Sequence, residues 1–440
     1  MAGDGCARVC KRCTLAKDRL TREEIAPGVF YSYIDGNYRR NKLLISLRTP
    51  MNRDTVTATA LIPYLLDRGT ASVPDKTKLK RKLDMLYGAD LQTYSSSQDG
   101  LRMVNAYIAG ADETLLGAGR SLSEKRMRLL YEALYDPYLM NDAFPAKHID
   151  TEKEVLRERI LSEIDDKRLF CLRSALKLFY GDDIRGIPNT GYIEDLEKLG
   201  HDEFRSIWKD YLENSTVEIL NVSGNGESLK RKFAEMYSWK KAAPFRKEDF
   251  GPIVIPEVRR ETKRVDAEQD KIIMIYTAGR TFSEREKAAL RVFSAVFGGI
   301  TTSRLFLNVR ERDHLCYYCS SSPFVASASL LIDSGVARKN HKKIEEAVAE
   351  ELDLLISEGI GDEEFMFSKL ALTNAYKSIR DSADSISSWY LGTILRKGYV
   401  SEPEEDLALM ESITKEDVLE IASSMKLAVV ERVTGEAENA

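Results

Sequence analysis

Apolar and polar positions along the chain fall into two successive runs of the same element order. Val29-Phe-Tyr-Ser-Tyr and Lys42-Leu-Leu-Ile-Ser-Leu-Arg carry the alternation and the aromatic and β-branched content of strands. A helix is expected from about Arg53 to Asp67 and another over Lys76–Leu86, followed by strands at Asp90–Ser96 and Leu101–Ala109. Helical spacing then covers Leu122–Tyr135, Asp150–Phe179 and His201–Tyr211, and Val217-Glu-Ile-Leu-Asn-Val closes the first run as a strand. The second run begins with a strand at Lys271-Ile-Ile-Met-Ile-Tyr and helices at Glu284–Phe297 and Thr302–Glu311. A hairpin at Leu315–Ser320 and Phe324–Ile332 follows, then helices at Lys339–Ser357, Asp362–Ile379 and Lys415–Ser424, and Leu427-Ala-Val-Val-Glu-Arg-Val closes it.

Strands grouped apart from helices point to an α+β fold. It has two similar halves, each a mainly antiparallel sheet with helices packed on one face. The boundaries read as a leader over residues 1–20, a first half over 21–236, a linker over 237–268 and a second half over 269–435. The linker expectation rests on the polar, lysine-rich stretch around Pro244, Pro252 and Pro256. The halves share element order but little residue identity.

Composition narrows the partners. The chain has 440 residues, is 43% hydrophobic and 31% charged, and carries a net charge of −5, small for this length. That balance gives no reason to expect nucleic acid or a membrane surface as partner. The first twenty residues hold no apolar run of signal-peptide type, and no later stretch approaches the ~20 apolar residues of a membrane-spanning helix. A soluble, cytoplasmic protein is expected, with its six cysteines mostly reduced. Three of them have the spacing Cys6-x3-Cys10-x2-Cys13. Such spacing occurs where thiolates hold an iron–sulfur cluster, and cysteine clusters also bind zinc. Here it stands in a charged leader before any predicted element, so an incidental cluster in a terminus is the competing reading.

A set of motifs in fixed order adds a family. Leu65-Leu-Asp-Arg-Gly-Thr70 with Pro74 and Leu86-Tyr-Gly-Ala89 resembles the segment after the metal-binding helix of pitrilysin/insulinase-type zinc peptidases. Asp150-Thr-Glu-Lys-Glu-Val-Leu-Arg-Glu-Arg-Ile resembles that family's glutamate-rich helix, and Ile184-Arg-Gly-Ile-Pro-Asn-Thr-Gly-Tyr-Ile-Glu-Asp the loop beyond it. Phe297-Gly-Gly-Ile-Thr-Thr-Ser-Arg-Leu-Phe-Leu-Asn-Val-Arg-Glu-Arg-Asp-His-Leu-Cys-Tyr is the strongest match. Together these anchors span residues 20 to 435, so the resemblance implies the fold of the mitochondrial processing peptidase-like metallohydrolases.

The family's chemistry needs H-x-x-E-H, two histidines on one helical face holding zinc and a glutamate activating water. Counted back from Gly69-Thr70, those three positions fall on Ala60, Pro63 and Tyr64, which supply neither the ligand pair nor the base. None of the four histidines stands in such a motif. Glu152 falls where the family's distal glutamate ligand is expected, but without the two histidines it reads as an ordinary helix-surface carboxylate. Pro63 would disturb a helix running through it by about 3 kcal/mol. The expectation is therefore that this chain binds no metal or other cofactor, and that zinc belongs to another subunit.

The resemblance also implies an arginine and, seven residues later, a tyrosine reaching into a catalytic chamber. They match Arg310 and Tyr317. A guanidinium and a phenol can donate to a peptide carbonyl or its oxyanion. The bland alternative pairs Arg310 with a nearby carboxylate and packs Tyr317 in a sheet. Arg304 and Phe306 belong to the same match and are expected to serve packing. Retention of the pair without the zinc motif resembles the non-metal subunit of heterodimeric family members. The expected partners are a zinc-bearing homologous subunit and a peptide substrate; such a chain would be inactive alone and complete the partner's metalloendopeptidase site. A purely structural, scaffolding homologue is the alternative.

Overall fold

The computed structural model describes residues 20–36, 38–116, 121–222, 226–241 and 250–435. The leader cysteines Cys6, Cys10 and Cys13 lie outside these residues. The first half comprises strands β1 (Thr21–Ala26), β2 (Val29–Ile34), β3 (Arg40–Pro50), β4 (Asp90–Gln98), β5 (Leu101–Ala111) and β6 (Thr216–Val222). Its helices are α1 (Val56–Leu66), α2 (Lys76–Met85), α3 (Glu113–Leu116), α4 (Leu122–Tyr135), α5 (Ala146–Ser162), α6 (Lys167–Tyr180), α7 (Ile193–Lys198), α8 (His201–Asn214) and α9 (Gly226–Met236). The second half has β7 (Arg259–Arg264), β8 (Asp270–Thr277), β9 (Cys316–Phe324), β10 (Ser329–Val336) and β11 (Lys426–Thr434). Its helices are α10 (Glu284–Ser294), α11 (His341–Glu358), α12 (Asp362–Lys377), α13 (Ala383–Lys397), α14 (Pro403–Glu411) and α15 (Lys415–Ser424).

The expected α+β layering is present, and the repeat extends to strand order. One sheet runs β1-β2-β6-β3-β5-β4 and the other β7-β11-β8-β10-β9. Setting β1 aside, the two orders are the same. In each sheet the closing strand lies parallel to one neighbour (β2–β6, β7–β11) and antiparallel to the other, and the remaining pairs are antiparallel. Strand β7 thus corresponds to β2. Residues 259–264, part of the stretch expected as linker, are the outer strand of the second sheet.

Several boundaries differ from the sequence expectation. The helical pattern over Asp150–Phe179 is two helices, α5 and α6, broken where Asp166 caps α6 by accepting from Leu169 N at 3.0 Å. The pattern Glu284–Phe297 starts at the capping box of Ser283 and Glu286. It widens into a π-helical turn at Ala295–Gly299, and the stretch expected as a second α-helix is a π-helix over Leu305–Arg312. Strand β9 runs longer than expected, β10 lies later in the chain than expected, and the two meet at a turn in which Ala328 is left-handed (φ 48°). Helices α3, α7, α9, α13 and α14 and strand β1 were not anticipated.

Each sheet has helices of its own half on one face. The other face of each sheet is covered by a helix from the opposite half. Helix α13 sends Ile386, Tyr390, Leu391 and Leu395 against Ile34, Leu44, Leu220 and Val222 of the first sheet. In return α6 sends Cys171, Ala175 and Phe179 against Ile273, Ile275, Val429 and Val433 of the second. Alternate residues of one strand therefore enter different cores. Leu43, Ile45 and Leu47 face the first half's own helices while Leu44 faces α13. Ile272, Met274 and Tyr276 likewise face the second half's helices while Ile273 and Ile275 face α6. A matching ion pair stands near the start of each exchanged helix: Arg168 of α6 with Asp333 of β10, and Asp384 of α13 with Lys42 of β3 at 2.7 Å.

This exchange buries a carboxylate. Glu431 of β11 is fully buried, opposite Ile273 on one side and Glu261 on the other. Burial pushes its carboxyl up to about 7; Ser174 of α6 and Lys263 of β7 offset this and Glu261 adds to it. Because the folded pKa lies above the ordinary carboxylate value, the stabilisation is complete below about pH 4 and is lost as pH rises towards and through 7. Glu431→Gln should therefore raise the melting temperature at pH 8, by an amount equivalent to about 3 kcal/mol, and leave it nearly unchanged at pH 4. Parallel melting curves of the two proteins across that range would refute the assignment.

Candidate functional site

Helix α1 is buried along almost its whole length, with only Tyr64 half-exposed, so it is a core helix rather than an amphipathic surface one. It runs through Pro63 without ending. The Pro63 carbonyl accepts from Asp67 N at 3.1 Å and from Thr93 Oγ1 at 2.8 Å. Ala60 is 2% exposed and packs in the first core. The hydroxyl of Tyr64 accepts from Arg159 Nη1 of α5 at 3.2 Å.

Glu152 of α5 packs beside this helix and is buried, and its carboxylate is held by Arg68, just beyond the end of α1. A guanidinium therefore neutralises this buried carboxylate. His148, one turn before Glu152, lies near the same pair. Burial, then the charge of Arg68, pushes its imidazole towards the neutral form. Among the described residues no group of three or more His, Cys, Asp or Glu side chains could hold a metal ion. The donors that remain do not fit zinc: alanine and proline offer no ligand, the Tyr64 hydroxyl is engaged with Arg159, and Glu152 already has a cation. Arg68 was missed in the sequence. Its signal was a cation one turn after Tyr64, next to the position of an unmatched glutamate.

The second cluster lies in the other half. Arg310 stands near the end of the π-helix, whose wide turn closes with Asp313 N donating to Asn308 O at 2.9 Å. Such turns are uncommon and recur at functional sites. The Arg310 guanidinium lies 4.5 Å from the centroid of the Phe306 ring, and its Nε is 3.4 Å from Glu311 Oε1 on a half-exposed pair. His314, left-handed at φ 50°, then turns the chain into β9.

Tyr317 is the extra residue of a β-bulge. Cys316 pairs with Val336 and Tyr318 with Gly335, which leaves Tyr317 without a partner across the ladder. Bulges on edge strands re-aim side chains, and β9 is an edge strand. Gly335 permits the arrangement, since a Cβ there would lie 2.5 Å from the Tyr318 ring. Tyr317 is 56% exposed and its hydroxyl has no hydrogen-bond partner among the described residues. Arg304 has the structural role expected of it, with Nε 2.7 Å from Glu364 Oε1 and Nη2 2.6 Å from the Gly359 carbonyl. No hydrogen bond, ion pair or ring contact joins Arg310 or Tyr317 to α1 or α5 within the described residues.

The fold is one of two similar halves, each a sheet with helices packed on it. The profile described as "Peptidase M16 inactive domain" matches residues 199–372. The chain is 25% identical over 399 residues to "Probable inactive metalloprotease YmfF" of Bacillus subtilis strain 168, covering 89% of this chain and 92% of that one. It is 22% identical over 354 residues to "Uncharacterized zinc protease YmxG" of the same organism, covering 76% and 82%. Among solved structures, a conserved protein from Enterococcus faecalis V583 superposes with a TM-score of 0.86 at 23% identity, over 96% of this chain and 100% of that one. A peptidase M16 inactive domain from Pseudomonas fluorescens gives 0.78 at 14% identity, over 96% and 99%. These two structural likenesses carry the fold. Residues 199–372 are thus similar to the peptidase M16 inactive domain, and most of the chain is similar to a relative named as a probable inactive metalloprotease. No helix among the described residues is long and apolar enough to cross a membrane.

Proposed function

We propose that this chain is the non-zinc, substrate-positioning subunit of a two-chain metallopeptidase acting on peptides. The observation that carries this reading is the display of Tyr317. A bulge turns an aromatic side chain out of an edge strand with its hydroxyl unengaged, seven residues from an arginine whose one ion pair is the exposed contact with Glu311. A side chain serving only packing would not require the break in the ladder. In the proposed complex the guanidinium and the phenol donate to the peptide carbonyl beside a zinc ion held by the other subunit. The chain contributes no metal ligand and no general base.

The test is co-expression with a homologue of similar length that carries H-x-x-E-H, encoded by the same genome. A stable one-to-one complex that hydrolyses peptides in a chelator-sensitive way, faster than the zinc-bearing chain alone, is expected. A lasting complex should bury more than about 1,000 Å². Separate elution at micromolar concentrations overturns the two-chain reading. A complex with no gain in hydrolysis makes the chain a scaffold.

A further inference from the structure

A cavity of about 860 Å³ lies at the seam between the halves, far along β9 from Tyr317. The β4–β5 turn (Gln98, Asp99), the end of α6, α10, the β9–β10 turn, α12 and α13 all contribute to its wall. Its volume falls in the range of small-molecule sites, about 300–1,000 Å³.

The charges around it do not balance. Arg185 is held by Asp183 through Nε at 2.9 Å and Nη2 at 2.6 Å. Among the described residues Asp99 is the one carboxylate in the lining. Two further guanidinium groups, Arg291 and Arg396, line the same space. Among the described residues neither has a carboxylate within ion-pair distance: Arg291 Nη1 donates to the Lys287 carbonyl at 3.3 Å, and Arg396 lies 6.0 Å from the Trp389 ring centroid. The nearby Asp406 is taken by Lys397 at 2.6 Å. Counted over the described residues, two guanidinium groups without an ion pair against one carboxylate leave a surplus positive charge.

Burial, then the neighbouring charge of Arg291, holds Arg396 below the usual arginine range. A protein that places two guanidinium groups against each other in a partly desolvated pocket loses stability there unless an anion joins them. Leu176, Phe324, Leu372 and Ile379 supply an apolar wall to the same space.

We propose that this seam cavity is a binding site for a small organic anion, with a carboxylate or phosphate head held between Arg291 and Arg396 and an apolar body against that wall. Planar guanidinium groups suit both head groups because each can donate two parallel hydrogen bonds. The site is separate from Arg310 and Tyr317 and needs no second subunit, so it stands or falls independently of the two-chain reading. Because its wall is drawn from both halves, an occupant would brace the seam.

Calorimetric titration of the full chain tests this with three probes: N-acetylated trileucine with a free C-terminal carboxylate, the same peptide as its C-terminal amide, and inorganic phosphate. The acid should bind roughly 10- to 100-fold more tightly than the amide, the span of one charged hydrogen-bonded head group. Phosphate should compete with the acid. Arg291→Gln and Arg396→Gln, shown to fold by circular dichroism and melting, should each bring the acid's affinity down towards that of the amide. Equal binding of acid and amide, which requires no variant, overturns the proposal. So does wild-type affinity in both folded variants, failure of phosphate to compete, or no binding of the acid at millimolar concentration.

Discussion

Replacing Tyr317 by phenylalanine, or Arg310 by alanine, in the proposed two-chain complex should lower kcat while the folded chain and the zinc content of the proposed partner stay unchanged. The phenylalanine ring keeps the exposed bulge filled and removes only the hydroxyl, so any loss belongs to that donor. Removing one donor to a developing oxyanion typically costs 10²–10³ in rate, about 3–4 kcal/mol. If the two groups hold the peptide carbonyl equally well before and during attack, the change appears in KM instead. Arg304→Ala is the useful contrast. Its guanidinium ties the start of the π-helix to Glu364 and the Gly359 carbonyl, so its loss should lower the melting temperature first and affect turnover only through folding. Full kcat/KM in both the Arg310 and Tyr317 variants would leave the pair with a structural role and the chain as a scaffold.

Phe179→Ala should be among the most destabilising single changes outside either half's own core. Phe179 is 1% exposed and belongs to the cluster in which α6 covers the second sheet, with its ring centroid 5.0 Å from that of Tyr180. Truncating a buried phenylalanine costs about 3–5 kcal/mol through lost transfer energy and the cavity left behind. The position also determines how the loss is felt. Because α6 belongs to one half and the surface it covers to the other, the wild-type halves should unfold as one unit, and the variant should separate their transitions in urea. A single transition with a midpoint lowered by the equivalent of less than about 1 kcal/mol would show that the seam does not couple them.

The sequence made the element order, the α+β layering and the family resemblance legible because apolar periodicity and turn residues act locally. The exchange of α6 and α13 was less legible, although a signal was present. Lys271-Ile-Ile-Met-Ile-Tyr is apolar on both faces, and a strand covered on one side only would alternate. Treating such a run as a one-sided strand misses the helix on its other side. Strand β7 was hidden for the opposite reason: Arg259–Arg264 is exposed and charged, and it pairs through its backbone alone. The bulge at Tyr317 depends on register across β9 and β10, which no local pattern encodes. The Arg68–Glu152 pair joins residues 84 positions apart, and only the packing of α5 beside α1 brings it about. By contrast, the absence of ligands at Ala60 and Pro63 needed nothing beyond their chemistry.

The exchanged helices also set a timetable for synthesis. A ribosome adds about 5–20 residues per second, and 254 residues separate Phe179 from Val433, the last β11 residue of the cluster that receives it. For some 13–50 s a nascent chain would carry α6 with its apolar stripe of Cys171, Ala175 and Phe179 and no surface to cover. During the same interval the outward face of the first sheet, with Leu44 and Leu220, waits for α13. Folding factors that shield apolar surface would act in that window, and truncation after the first half would make it permanent.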